Sequence, residues 1–172
     1  MIRVLVNGAL GRMGSEVVKK VCAEADLELA AVVDIKEANI ALDNGTTMAT
    51  QTDLEAAIKA SAPDDVVDFT RPDVVMNNLR KILKLGVRAV VGTTGFKQAD
   101  LDELDALAKE NNTALLIAPN FALGAVVMMK LACEAAKYFS HVEIIEKHHD
   151  KKLDAPSGTA IITAQKIAEV RE

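Results

Sequence analysis

Apolar runs of strand length alternate with stretches of helical period along most of the chain. Residues 2–6 form a short, β-branched apolar run, and Val17, Val18, Val21 and Cys22 then recur at helical spacing. Residues 28–33, 65–70, 86–91 and 114–117 repeat the apolar run, so five strands are predicted. Between them, Val75, Leu79, Ile82 and Leu83 share one helical face behind Pro72, and Leu101, Leu104, Leu107 and Ala108 share another. A shorter helix over Leu54, Ala57 and Ile58 is capped by Asp53 and stops before Pro63. Residues 37–51 carry the weakest pattern, with a turn at Asn44-Gly45 and a short extra strand over 46–50. Strand and helix in regular alternation predict an α/β fold, a doubly wound parallel (Rossmann-type) sheet.

Beyond residue 120 the rhythm changes. Residues 121–139 place Val126, Val127, Met128, Leu131, Ala135 and Tyr138 on a long, largely buried helix. A strand over 142–147 and a helix over 157–170 follow. One strand and one helix cannot cover a sheet, so residues 121–172 are expected to be the start of a second α+β domain, incomplete beside a first domain at 1–120.

Charge narrows the partners. A net charge of −5 and a pI near 5.3 leave no basic excess for phosphate backbones or acidic membranes. One Tyr, four Phe and no Trp offer little for bases to stack on. No apolar run approaches membrane-span length. Cys22 and Cys133 show no Cys-x-x-Cys spacing and are expected to be reduced core thiols in a cytoplasmic protein without a metal site. Met1 leads straight into a strand pattern, so no secretion signal is expected.

Three turns fall on the same edge of such a sheet. The first is Asn7-Gly8-Ala9-Leu10-Gly11-Arg12-Met13-Gly14, between strand and helix, where the context matters more than the glycines. Gly8 allows a tight turn, Gly11 lets the backbone approach a pyrophosphate, and Gly14 lets the helix pack on the strand. Asp34, at the end of the second strand, stands where ribose hydroxyls are held in dinucleotide sites. Lys36, two residues on, would attract an extra phosphate that Asp34 repels, so the choice of nucleotide stays open. Gly92-Thr93-Thr94-Gly95 and Ala118-Pro119-Asn120-Phe121 close two later strands on that edge. Asp68 reads as a loop or capping acid in preference to a catalytic one.

The densest chemistry lies at 146–159, Glu-Lys-His-His-Asp-Lys-Lys-Leu-Asp-Ala-Pro-Ser-Gly-Thr. Imidazoles and ammonium groups ahead of a helix start can hold an anion and move a proton. Ser157 is a natural N-cap, so Gly158 and Thr159 would present backbone amides.

These motifs resemble, in order and spacing, those of the 4-hydroxy-tetrahydrodipicolinate reductase (dihydrodipicolinate reductase) family of lysine and diaminopimelate biosynthesis. The resemblance rests on the 8–14 glycine loop, Asp68-Phe69-Thr70-x-Pro72, the 92–95 and 118–121 turns, and Glu146-x-His148-His149-x-x-Lys152-x-Asp154-Ala155-Pro156-Ser157-Gly158-Thr159. It implies an oxidoreductase using NADH or NADPH to reduce a cyclic imine dicarboxylate to tetrahydrodipicolinate. By position, His148 is the acid/base residue and Lys152 the proton donor. His149, Ser157, Gly158 and Thr159 hold the substrate carboxylates. The cofactor falls to Gly8, Ala9, Leu10, Gly11, Arg12, Met13, Asp34, Lys36, Phe69, Thr70, Gly92, Thr93, Thr94, Pro119, Asn120, Phe121 and Ala122, with Ala122 where the family usually has Ser. The family forms homo-tetramers and continues past residue 172, so a dinucleotide-binding, catalytically incomplete form is the alternative expectation.

Overall fold

The computed structural model describes residues 1–118, 120–148 and 155–171. The chain divides into two compact units, Met1–Ala118 and Pro119–Glu172. In chain order the first holds β1 (Ile2–Asn7), α1 (Arg12–Ala23), β2 (Leu27–Val33), β3 (Asn39–Ala41), β4 (Thr47–Ala49), α2 (Leu54–Ser61), β5 (Asp65–Asp68), α3 (Pro72–Lys84), β6 (Arg88–Val91), α4 (Gln98–Glu110) and β7 (Leu115–Ile117).

Five strands form one sheet in the order β2-β1-β5-β6-β7, every pairing parallel. The predicted doubly wound sheet is therefore present. Because successive side chains on a strand point to opposite faces, β1 feeds two cores. Leu5 joins Val66, Leu79, Ile82, Leu83 and Leu104 in one, while Val4 and Val6 join Val18, Val21 and Val32 in the other. Each wholly buried Leu in the first cluster contributes about 1.5–3 kcal/mol of transfer free energy. After β2 the chain crosses to the far side of β1 to lay down β5, which makes the β1/β5 junction the point where winding reverses. Ligands of open α/β sheets settle beyond the strand carboxyl ends at such a junction.

The weakly patterned stretch holds an antiparallel hairpin, β3 with β4. The expected extra strand is β4, and β3 is its partner. Thr50, buried beside it, donates its hydroxyl to the Lys36 carbonyl at 2.7 Å and accepts the Ala38 N–H at 2.8 Å. The loop carrying Lys36 is thereby tied down.

Asp53 caps α2 as expected, its Oδ1 accepting the N–H groups of Glu55 at 2.9 Å and Ala56 at 3.1 Å. The Ala56 bond foremost, against the desolvation cost that ranks next, and then the Glu55 bond and the Lys81 and Lys59 charges hold this carboxyl below the usual carboxylate range. A depressed folded value means that the cap stabilises above the unfolded value of about 3.9, and that its contribution is lost as pH falls through the folded one. Asp53→Ala is thus expected to lower the urea midpoint at neutral pH, with the gap to the parent closing at acid pH. A gap independent of pH would show that the carboxylate is not the stabilising group.

The second unit holds α5 (Leu123–Ala136) and α6 (Gly158–Glu169), which pack on each other and bury Met129, Ala136, Thr163 and Ile167. Three expectations are corrected here. Residues 142–147 form no strand, because a strand exists only through its ladder and no described element of this unit offers them an edge. The long helix is not largely buried: Leu123, Val126, Val127, Met128 and Leu131 on α5, and Tyr138 beyond it, are exposed, since α6 covers only one side. Cys22 is exposed on the outer side of α1, not a core thiol, and Cys133 is half-buried. Among the described residues, no helix is long and apolar enough to cross a membrane.

Candidate functional site

The turn after β1 is shaped by contacts that a side chain would prevent. Gly8 takes φ +81°, and a Cβ there would lie 2.9 Å from the Phe69 carbonyl oxygen. A Cβ on Gly14 would stand 2.0 Å from the Gly8 carbonyl oxygen, so α1 rests directly on the turn. Gly11 is the N-cap of α1 and supplies no side-chain cap, and the first turn, Arg12 to Gly14, carries no acid. The unpaired N–H groups and the positive end of the helix dipole are thus left for an external anion. Ala9 is buried, whereas Leu10, Arg12 and Met13 are exposed.

Asp34 sits beside this turn and is held there by it. Its Oδ2 accepts the Leu10 N–H at 2.9 Å and its Oδ1 the Ile35 N–H at 2.8 Å. A cavity of about 710 Å³ runs from the turn past Asp34 and Lys36 to Phe69, Thr70, Arg71 and Lys81. A backbone cradle that only glycine permits, an uncapped helix start and an acid at the end of β2 fit a dinucleotide.

Beyond β5, Phe69 and Thr70 lie between two glycines. A Cβ on Gly92 would fall 2.0 Å from Cε1 of the Phe69 ring. Thr93 is buried, and its hydroxyl donates to the Thr70 carbonyl at 2.8 Å; Thr94 is exposed. The Thr93 hydroxyl proton is thus spent on holding the neighbouring loop.

Asp68 exceeds the loop or capping acid expected of it, being fully buried with four donors upon it. Oδ1 accepts the Thr70 N–H (2.9 Å) and hydroxyl (2.6 Å), and Oδ2 accepts the side-chain amides of Asn7 (2.7 Å) and Asn78 (3.1 Å). The sequence signal was a polar residue closing a buried strand twice over, Asn7 on β1 and Asp68 on β5.

In the second unit, Ser157 caps α6 as predicted, its Oγ accepting the Ala160 N–H at 3.1 Å. Gly158 and Thr159 follow as the first two helical residues, where N–H groups have no intrahelical carbonyl. Glu146, to which the sequence reading gave no role, takes both Ser157 donors: the N–H reaches Oε1 at 2.7 Å and the hydroxyl reaches Oε2. His148 is part-exposed, with Nδ1 3.8 Å from the same Oε2. The structure thus gathers His148, Glu146 and the α6 start. Asn120 bridges to this group, donating to Thr159 Oγ1 at 3.2 Å and accepting the Ala122 N–H at 2.7 Å. Phe121 is exposed. Pro119, His149 and Lys152 lie outside the described residues.

Comparison with known proteins gives the same outline. The family model described as "Dihydrodipicolinate reductase, N-terminus" matches residues 2–121, and "Dihydrodipicolinate reductase, C-terminus" matches 124–172. A 4-hydroxy-tetrahydrodipicolinate reductase of Syntrophomonas wolfei subsp. wolfei is 51% identical over 170 residues, which cover 96% of this chain and 64% of the relative. One from Listeria monocytogenes serotype 4b is 54% identical over 179 residues, covering 99% of this chain and 67% of the relative. The structure of "Dipicolinate bound Dihydrodipicolinate reductase from Paenisporosarcina sp. TG-14" superposes with a TM-score of 0.82 at 45% identity, covering 99% of this chain and 67% of that one. The chain therefore spans about two thirds of the length of the relatives it matches. With both family models, the glycine cradle and the parallel sheet in agreement, the chain belongs to the dihydrodipicolinate reductase family.

Proposed function

We propose that this chain carries the cofactor-binding part and the first substrate-binding elements of an NAD(P)H-dependent 4-hydroxy-tetrahydrodipicolinate reductase of lysine and diaminopimelate biosynthesis. The observation that carries the reading is the Gly8–Gly14 cradle with Asp34 bound to its rim. Residues 1–120 serve as the dinucleotide domain and 121–172 as substrate-domain elements. The cofactor supplies a hydride when bound; NADH and NADPH are both compatible with an Asp34 that accepts ribose hydroxyls and a Lys36 that attracts phosphate.

The substrate is a cyclic imine with two carboxylates, a class supported by the dipicolinate held by the Paenisporosarcina relative. Its carboxylates fall to the Gly158 and Thr159 amides and to His149, with Ser157 fixing the helix start. Because Glu146 engages both Ser157 donors, the contribution of Ser157 is to order this turn. Hydride addition to a conjugated imine leaves negative charge on the ring, which one proton must neutralise. His148 and Lys152 supply that proton, with Oε2 of Glu146 3.8 Å from Nδ1 of His148. Homo-tetramer formation in the cytoplasm completes the reading, supported by the exposed apolar side chains of α5 that such an assembly would bury.

The test is calorimetric titration of NADH and NADPH into the 172-residue chain, followed by nicotinamide absorbance with substrate added. Substrate-dependent oxidation is expected. Binding without turnover would favour the catalytically incomplete form, for which the lack of strand structure over 142–147 speaks. Absence of binding by either nucleotide would overturn the reading.

A further inference from the structure

We infer that Asp68 is a positioning residue that holds the nicotinamide end of the dinucleotide site in register, an inference that rests on reading the first unit as a dinucleotide holder. Its carboxylate is 0% exposed, and its four donors come from three elements. Asn7 ends β1 immediately before the glycine turn, Thr70 begins the loop after β5, and Asn78 stands on α3. Asn78 also donates to Thr70 Oγ1 at 3.2 Å. From Thr70 the chain of bonds continues, since its carbonyl accepts the Thr93 hydroxyl, while the Asp68 carbonyl accepts the Gly92 N–H at 3.0 Å. One buried carboxylate therefore joins the loops after β1, β5 and β6. A group in this position sets several loops at once, because buried hydrogen bonds to a charge are roughly twice as strong as neutral ones.

The direction of the effect follows from the sheet order. Asp34, the ribose acid, lies at the end of β2 on one side of β1, whereas Thr70 and Thr93 lie past β5 and β6 on the other. A dinucleotide lies across this reversal point, so its adenosine half takes the β2 side and its nicotinamide half the β5/β6 side. Two of the three loops that Asp68 joins lie on that second side, and at the glycine turn it holds only the side chain of Asn7, so loosening Asp68 acts mainly on the nicotinamide half. A merely structural carboxylate would, when removed, weaken both halves together.

Asp68→Asn keeps the shape and one acceptor oxygen but turns the other into a donor that faces donors. NADH and ADP-ribose, which lacks the nicotinamide, are titrated into parent and variant chains. The dissociation constant of NADH is expected to rise about tenfold, the size of one lost charged hydrogen bond, and that of ADP-ribose by less than about twofold. Equal weakening of the two ligands, or unchanged NADH affinity, overturns this inference and leaves the proposed function standing. A parent chain that binds neither ligand overturns both. Should Asp68→Asn not fold, Asn78→Ala decides: it keeps the carboxylate and removes one donor from half-exposed α3. A threefold or so selective loss for NADH is expected there, and an absence of selectivity counts against the inference.

Discussion

Replacing Gly14 by alanine is expected to abolish measurable NADH binding and to lower folding stability by about 3 kcal/mol, the upper end of the usual cost of overpacking. The added methyl would stand 2.0 Å from the Gly8 carbonyl oxygen, 2.7 Å from its carbon and 3.0 Å from Ala9 Cα. All three are backbone atoms, so no rotamer change can make room. Either α1 must lift from β1 or the turn must open, and both displace the N–H groups offered to a phosphate. Gly11→Ala makes a useful contrast, since its methyl would meet the Gly8 carbonyl oxygen at 3.2 Å and needs only a few tenths of an ångström. Urea midpoints and calorimetric titrations of the two variants should separate clearly. Were Gly14→Ala to bind NADH within about twofold of the parent, seating of α1 on the turn would not be what shapes the phosphate site.

The second large effect concerns chemistry, not binding. Removing His148 and Lys152 together by alanine substitution is expected to cut substrate-dependent NADH oxidation by about 10²–10⁴-fold, the usual worth of positioned proton transfer. Cofactor affinity should stay within about twofold, because neither residue belongs to the glycine cradle or the Asp34 rim. The double variant matters because either residue alone could cover for the other. Turnover at the parent rate would remove both from the proton-transfer role.

The sheet was legible in the sequence because its signals are local. An apolar run has period two and a helix face has period 3.6 whatever the rest of the chain does, and Asp53 and Ser157 announce helix starts by residue type alone. What failed to be legible was pairing. The segment 142–147 has strand composition, but a ladder needs a second edge that no local pattern encodes. The stripes of α5 marked apolar residues without saying how many sides a neighbour would cover. Asp68 and Asn7 are 61 positions apart, and only the parallel register of β1 with β5 makes them partners. Glu146 lies eleven residues before the serine it binds, and so had no signature as a cap.

Asp34 already has a partner on each carboxylate oxygen before any nucleotide arrives, with the Leu10 amide on one and the Ile35 amide on the other. In dinucleotide sites such an acid holds the ribose hydroxyl, so a phosphorylated ribose would call for its replacement by a small neutral residue. In this chain the swap would also unfasten Leu10 between the first two glycines, so under the proposed function a gain in tolerance would come with a slacker grip on the pyrophosphate. Added cationic character near Lys36, on a loop anchored independently through Thr50, would shift preference without touching that latch.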